Sequence, residues 1–108
     1  MWIYNITFAT GEAQSGRLLS WIKKSGLRLF LQSGEADSWK LLRVVPNPCE
    51  TEEMLASVCL QLGFSSKEKF ECWQEESFRR GIKEYTELFS PEPLFFATLL
   101  EELDLNHE

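Results

Sequence analysis

The chain opens on a nine-residue alternation, Trp2-Ile3-Tyr4-Asn5-Ile6-Thr7-Phe8-Ala9-Thr10. Its residues are mostly β-branched or aromatic and alternate with period two, which predicts a strand. Trp2, Tyr4, Ile6 and Phe8 lie on one face. Ile3, Asn5, Thr7 and Ala9, smaller and mixed in polarity, lie on the other. The run carries no charge, whereas exposed edge strands are commonly guarded by a charge or a proline, so this strand is expected at the centre of its sheet. After Gly11 the spacing becomes helical. Leu18, Trp21, Ile22, Ser25 and Leu29 form one apolar stripe, interrupted at Ser25-Gly26 by a kink or a break before a second piece, Leu27 to Gln32. Gly34 stands where a helix C-terminal cap is expected.

Ser38 to Val45 predicts a second strand, with Trp39, Leu41, Arg43 and Val45 on one side and Lys40, Leu42 and Val44 on the other. Its charges suit a position nearer the sheet edge. Pro46-Asn47-Pro48 requires an extended turn. Glu53 to Phe64 contains good helix formers, but Ala56, Val58, Leu60 and Leu62 alternate with Ser57, Cys59 and Gln61, which reads as a third strand. Ser65 and Glu68 have the spacing of a capping box that opens a helix to about Leu88. Phe70, Trp73, Phe78, Ile82, Tyr85 and Phe89 make its buried stripe. Ser90-Pro91-Glu92-Pro93 ends it, and Leu94 to Leu103 gives the last strand. The tail from Asp104 to Glu108 is expected to fray.

The order β-α-β-β-α-β over residues 1–108 predicts a single α+β domain of the ferredoxin-like, split βαββαβ kind. It would hold a four-stranded antiparallel sheet, the first and third strands central, with two helices on one face. Two such sheets face to face would give a dimeric α/β barrel.

Composition narrows the function more by exclusion than by assignment. The net charge is −6, from 17 acidic and 11 basic residues, which speaks against nucleic-acid binding. Hydrophobic residues make up 44% of the chain, excluding a disordered polymer, yet no apolar run approaches the ~20 residues of a membrane span. Cys49, Cys59 and Cys72 are odd in number and form no C-x-x-C pair, as expected of reduced thiols in a cytoplasmic protein. The single histidine, His107, leaves too few ligands for a transition-metal site and no Ser-His-Asp or Cys-His set. No phosphate-binding glycine motif is present. No cofactor, metal or catalytic residue is therefore expected.

One constellation remains. If Trp2, Tyr4, Ile6 and Phe8 face the helices, the open sheet face collects Asn5, Thr7, Trp39, Arg43, Cys59, Gln61 and Thr98, with Ser57 beside them. Such a face predicts a homodimer interface, with Trp2 and Trp39 as candidate contacts. It also offers a small-molecule site in which Arg43 would pair an anionic group. The leading functional expectation is a non-enzymatic binding, regulatory or self-associating module. The alternative is a cofactor-independent, monooxygenase-like enzyme of the dimeric α/β-barrel type working in the inter-sheet cavity. A third reading makes the acidic helix face (Glu71, Glu75, Glu76) a contact within a larger complex.

Ile3-Tyr4-Asn5-Ile6-Thr7, Leu19-Ser20-Trp21-Ile22-Lys23, Leu41-Leu42-Arg43, Tyr85-Thr86-Glu87-Leu88-Phe89 and Ala97-Thr98-Leu99-Leu100-Glu101 occur in an order and spacing that resembles a known family. It is domain of unknown function 4286, an uncharacterised bacterial, Bacteroidetes-type family. The resemblance implies a ferredoxin-like fold and a dimer, and no particular reaction. It also implies a histidine followed by proline after the first helix, where this chain has Gly26-Leu27-Arg28, and a histidine where this chain has Tyr85.

Overall fold

β1, Trp2–Thr10, lies at the centre of a four-stranded sheet of order β2-β3-β1-β4, with every neighbouring pair antiparallel. This computed structural model describes residues 1–44, 56–89 and 93–103. β2 is Ser38–Arg43, β3 is Ala56–Phe64 and β4 is Leu94–Glu101. The alternation in residues 56–64 thus prevails over their helix propensity, because pairing with β1 and β2 puts Val58, Leu60, Leu62 and Phe64 on the buried side. The expected Pro46-Asn47-Pro48 turn, the start of the third strand at Glu53, most of the Ser90-Pro91-Glu92-Pro93 terminator, and the tail lie outside the described residues.

Between β1 and β2 a short 3-10 turn, Glu12–Gln14, leads into helix α1, made of Ser15–Trp21, a wider π-helical turn Ile22–Gly26, and Leu27–Leu31. Helix α2 repeats the plan with Lys67–Trp73, a π-helical turn Gln74–Phe78, and Arg79–Leu88. No break occurs at Ser25-Gly26. The backbone stays right-handed helical, and the Leu27 N–H reaches back five residues to the Ile22 carbonyl.

That extra residue per turn corrects the expected stripes. Leu18, Trp21 and Ile22 are buried as expected, but the stripe continues through Gly26 and Phe30, with Ser25 and Leu29 only half-buried. In α2 the buried positions are Phe70, Trp73, Ser77, Gly81, Tyr85 and Phe89, while Phe78 and Ile82 flank them. From Ile22 and from Trp73 onward the stripes advance in steps of four, longer than the 3.6 of an α-helix, and a π turn absorbs the difference. The start of α2 is displaced too. Ser66, not Ser65, is the cap, its Oγ accepting from the Lys69 N–H at 3.2 Å. Ser65 instead donates its backbone N–H to the Asp37 carboxylate at 2.7 Å, which Lys69 Nζ also meets at 2.9 Å. The predicted C-cap holds, with Gly34 at φ +78° and its N–H on the Leu31 carbonyl.

The core lies between the helices and one face of the sheet. Tyr4, Ile6 and Phe8 meet Trp21, Phe30, Trp73 and Tyr85 there. Aromatic rings dominate the contact, Phe8 with Tyr85 at 4.9 Å and Tyr4 with Phe70 at 5.0 Å between centroids. Their polar atoms are satisfied inside the core. Trp73 Nε1 donates to the Phe30 carbonyl at 2.6 Å, and Trp21 Nε1 to Glu84 Oε1 at 2.8 Å. The Tyr85 hydroxyl donates to the Leu94 carbonyl at 2.7 Å, tying α2 to β4, and burial pushes its pKa up. The helices approach closely where Gly81 faces Phe30, whose ring a Cβ would overlap, and where Ser33 and Ser77 join hydroxyls at 2.6 Å.

Candidate functional site

The face of the sheet turned away from the helices carries no covering element among the described residues. Its content follows from the ladder, because residues directly opposite in an antiparallel pair point to the same side. Four rows cross it. Lys40, Gln61, Asn5 and Thr98 align in one, and Leu42, Cys59, Thr7 and Phe96 in the next. Beyond Phe96 come Val44, Ser57, Ala9 and Leu94, the Val44 N–H bonding the Ser57 carbonyl at 3.0 Å. At the other end stand Ser38, Gly63, Ile3 and Leu100.

Five of the expected residues, Asn5, Thr7, Cys59, Gln61 and Thr98, are therefore brought together on this face. Trp39 and Arg43 are not. They pair with Leu62 and Val58, whose side chains are in the core, and so project toward the helix side at the exposed sheet edge. Trp2 is likewise on the helix side, half-buried, with Lys67 Nζ 5.6 Å from its ring centroid. The division of β2 into two sets was legible, but which set joins the open face depends on pairing register, and a one-residue slip exchanges the sets. The face's cation is Lys40, not Arg43. Its aromatic is Phe96, not Trp39. Sequence reading missed both, although Lys40 was already grouped with Leu42 and Val44.

The two central strands contribute small and polar side chains, joined by a short chain of contacts. Asn5 Nδ2 donates to Thr7 Oγ1 at 3.3 Å, and Thr7 Oγ1 lies 3.3 Å from Cys59 Sγ. Asn5 Oδ1 is enclosed yet has no hydrogen-bond partner, an acceptor that is costly to leave unmet. The outer strands are apolar and open. Phe96 is 60% exposed, and Leu42, Val44, Leu94 and Leu100 are also exposed. The result is a polar centre flanked by two apolar margins, with Lys40 at one end of the polar row.

Among the described residues no three of His, Cys, Asp and Glu come together as a metal would require, and no helix is long and apolar enough to cross a membrane. Cys59 and Cys72 are free thiols; Cys49 lies outside the described residues. The acidic residues Glu71, Glu75 and Glu76 are solvent-exposed on α2.

The architecture is ferredoxin-like. It is similar to an ethyl tert-butyl ether d (ethd) family protein from Bacillus halodurans, with 13% identity and a TM-score of 0.72 over 95% of this chain and 100% of that one. It is also similar to SnoaB, a cofactor-independent oxygenase from Streptomyces nogalater, with 10% identity and a TM-score of 0.64 over 99% and 98%. A dimeric ferredoxin-like protein from an uncultured marine organism matches at 12% identity and a TM-score of 0.62 over 97% and 95%. Identities this low speak of fold alone. No curated protein matches the sequence. Residues 1–103 match Domain of unknown function (DUF4286), and the chain belongs to that family.

Proposed function

We propose that the protein is a small binding module that acts as a homodimer, two copies joined through their open sheet faces around a space for a small molecule. The observation that carries this reading is the distribution of exposed apolar side chains. Leu42, Val44, Leu94, Phe96 and Leu100 all stand on the one sheet face that no helix among the described residues covers. Contiguous exposed apolar margins of this kind normally mark an interaction surface. The polar row between them has a different use. Lys40 can pair an anionic group, and Gln61 and Thr98 in the same row offer hydrogen-bonding groups beside it.

Light scattering over a range of concentrations tests the assembly. The expected result is a mass twice the 12.6 kDa of the chain, falling to a single copy in a Phe96→Glu variant that keeps the far-UV circular dichroism of the folded chain. A wild type that stays a single copy at every concentration overturns the reading.

A second reading rests on the Asn5–Thr7–Cys59 contacts and the neighbouring Lys40, which put polar groups in a space a dimer would close from water. It is a cofactor-independent enzyme acting on a small oxygenated or aromatic molecule between the sheets. The family description names no reaction, and the likeness to a cofactor-independent oxygenase is a likeness of fold. Oxygen uptake with a panel of such molecules checks it. Uptake no greater than from Asn5→Ala and Lys40→Met variants removes it.

A further inference from the structure

We propose that the outer edge of β4 is a docking site for an extended segment of another polypeptide, added antiparallel as a further strand of the sheet. The segment has alternating apolar side chains and a basic residue at its N-terminal end. The groups that receive it belong to the backbone at the sheet margin and are separate from the open face, whatever covers that face.

Which backbone groups are free follows from the ladder. β1 and β4 pair with Trp2 opposite Glu101, and one step further the Glu102 N–H donates to the Met1 carbonyl at 2.9 Å. Hydrogen-bonded and non-hydrogen-bonded pairs alternate in an antiparallel ladder. Leu100, Thr98, Phe96 and Leu94 therefore turn their N–H and C=O groups toward β1. Phe95, Ala97, Leu99 and Glu101 turn theirs outward, where no strand among the described residues lies. Carried across the sheet, the same alternation turns the Ser57 carbonyl toward β2, where the Val44 N–H does meet it.

The sheet has two edges, and only one is guarded. β2 carries Lys40 and Arg43 within its six residues. β4 runs from Leu94 to Leu100 without a charge or a proline. Edge strands are normally protected by such residues, and a long unprotected edge is a template for another strand. Its helix side is apolar and incompletely covered. Phe95 and Leu99 are half-buried against the core, with exposed Ala97 between them and the Phe78 ring 6.3 Å from that of Phe95. A strand about 4.8 Å beyond β4 extends that cover with every second side chain, while its main chain meets the outward groups.

Charge selects the occupant. Glu101 and Glu102 are exposed at the C-terminal end of β4. An antiparallel segment brings its N-terminal end there, so a basic residue at that end complements them. A second copy's β4 fits poorly. Paired antiparallel, it sets the acidic end of each strand against the apolar start of the other, and each chain carries a net charge of −6.

The probe is a synthetic peptide, Lys-Thr-Val-Thr-Val-Thr-Val-Thr, blocked at both ends and carrying a fluorescent label at its C-terminal end. With its lysine opposite Glu101, the valines fall opposite Leu99, Ala97 and Phe95, on the helix side. Fluorescence anisotropy with the intact chain is expected to show saturable binding, weakened about threefold or more when the peptide's lysine is replaced by glutamate. Ala97→Pro removes an outward N–H. Proline is tolerated on an edge strand where the N–H faces solvent, so the fold should survive, as far-UV circular dichroism checks, while binding falls about tenfold or more. A second arm needs no protein variant. N-methylation of the middle valine, whose N–H points at β4, is expected to abolish binding. N-methylation of an adjacent threonine, whose N–H points away, is expected to leave it. The proposal is overturned by the absence of saturable binding up to about 1 mM peptide, by a folded Ala97→Pro chain that binds as wild type does, or by equal loss from both methylations. A Phe96→Glu chain that still doubles its mass, and loses that when Ala97→Pro is added, gives the edge to a second copy and overturns the proposal as well.

Discussion

The two faces of the sheet are built from the same four strands and follow opposite rules. On the helix side β1 and β3 supply Tyr4, Ile6, Phe8, Val58, Leu60, Leu62 and Phe64, all buried, with large side chains at the centre. On the open side the same strands supply Asn5, Thr7, Ser57, Cys59 and Gln61, small or polar, and the apolar weight moves outward to β2 and β4. A face that completes itself within one chain is most apolar in the middle. A face that is polar in the middle and apolar at the margins leaves its centre for water, ligand or a second polar layer. The helix side therefore sets stability, and the open side sets assembly.

Substitutions separate these roles. The largest effect is expected at Trp73, fully buried and bonded through Nε1 to the Phe30 carbonyl. Trp73→Ala should cost about 3–5 kcal/mol in urea unfolding, and a loss under 1 kcal/mol would place the core elsewhere. Gly81→Ala comes next. A Cβ there overlaps the Phe30 ring, so the helices must part, at about 1–3 kcal/mol despite the gain in helix propensity. If the variant is instead more stable, the close helix contact is not a constraint.

The contrast then sharpens on the open side. Thr98→Ala, made in the Phe96→Glu background to remove assembly, should change unfolding by no more than about 0.5 kcal/mol. A larger loss would mean that the open face stabilises the single chain after all. The smallest effect concerns Asp37, at the edge of both faces. The Lys69 ammonium and the Ser65 N–H hold its carboxyl below the ordinary carboxylate range. A lowered pKa in the folded state contributes stability that is present above the unfolded value, about 3.9, and is lost as pH falls through the folded one. The thermal midpoints of wild type and Asp37→Asn should therefore differ slightly at neutral pH and converge below about pH 4. A gap that persists at lower pH would assign the effect to something other than this carboxylate.

Much of the architecture was legible because it rests on local pattern. The bounds of β1 follow from alternation alone, and absence of charge placed it centrally, where the ladder puts it. The misreadings share a cause: each needed a count carried across a boundary. Ser25 and Leu29 were assigned to the stripe by a 3.6-residue period that the π turn at Ile22–Gly26 shifts by one. Ser65 and Ser66 offer the same hydroxyl, and only the contact of Ser65 with Asp37, 28 residues away in the chain, distinguishes them. Trp39 and Arg43 were grouped correctly within β2 but joined to the wrong face, since the register of β2 on β3 is set by pairing. Local chemistry found Asn5, Thr7, Cys59, Gln61 and Thr98. Long-range pairing was needed to add Lys40, whereas Phe96 follows from Thr98 by the same alternation of β4.

The position of β1 has a consequence for how the chain is made. β1 is synthesised before both of its neighbours, and one of them, β4, residues 94–101, is the last strand of the sheet to appear. While translation proceeds, the nascent β1 can pair only with β3, and its other edge stays free: nine residues, apolar in the main, without one charge to discourage another chain. A ribosome that stalls after α2 would release a product with most of its core and that edge uncovered. Such fragments should be sticky in proportion to their completeness, and quality control of the unfinished chain, more than of the finished fold, would bear the cost of placing the opening strand in the middle of the sheet.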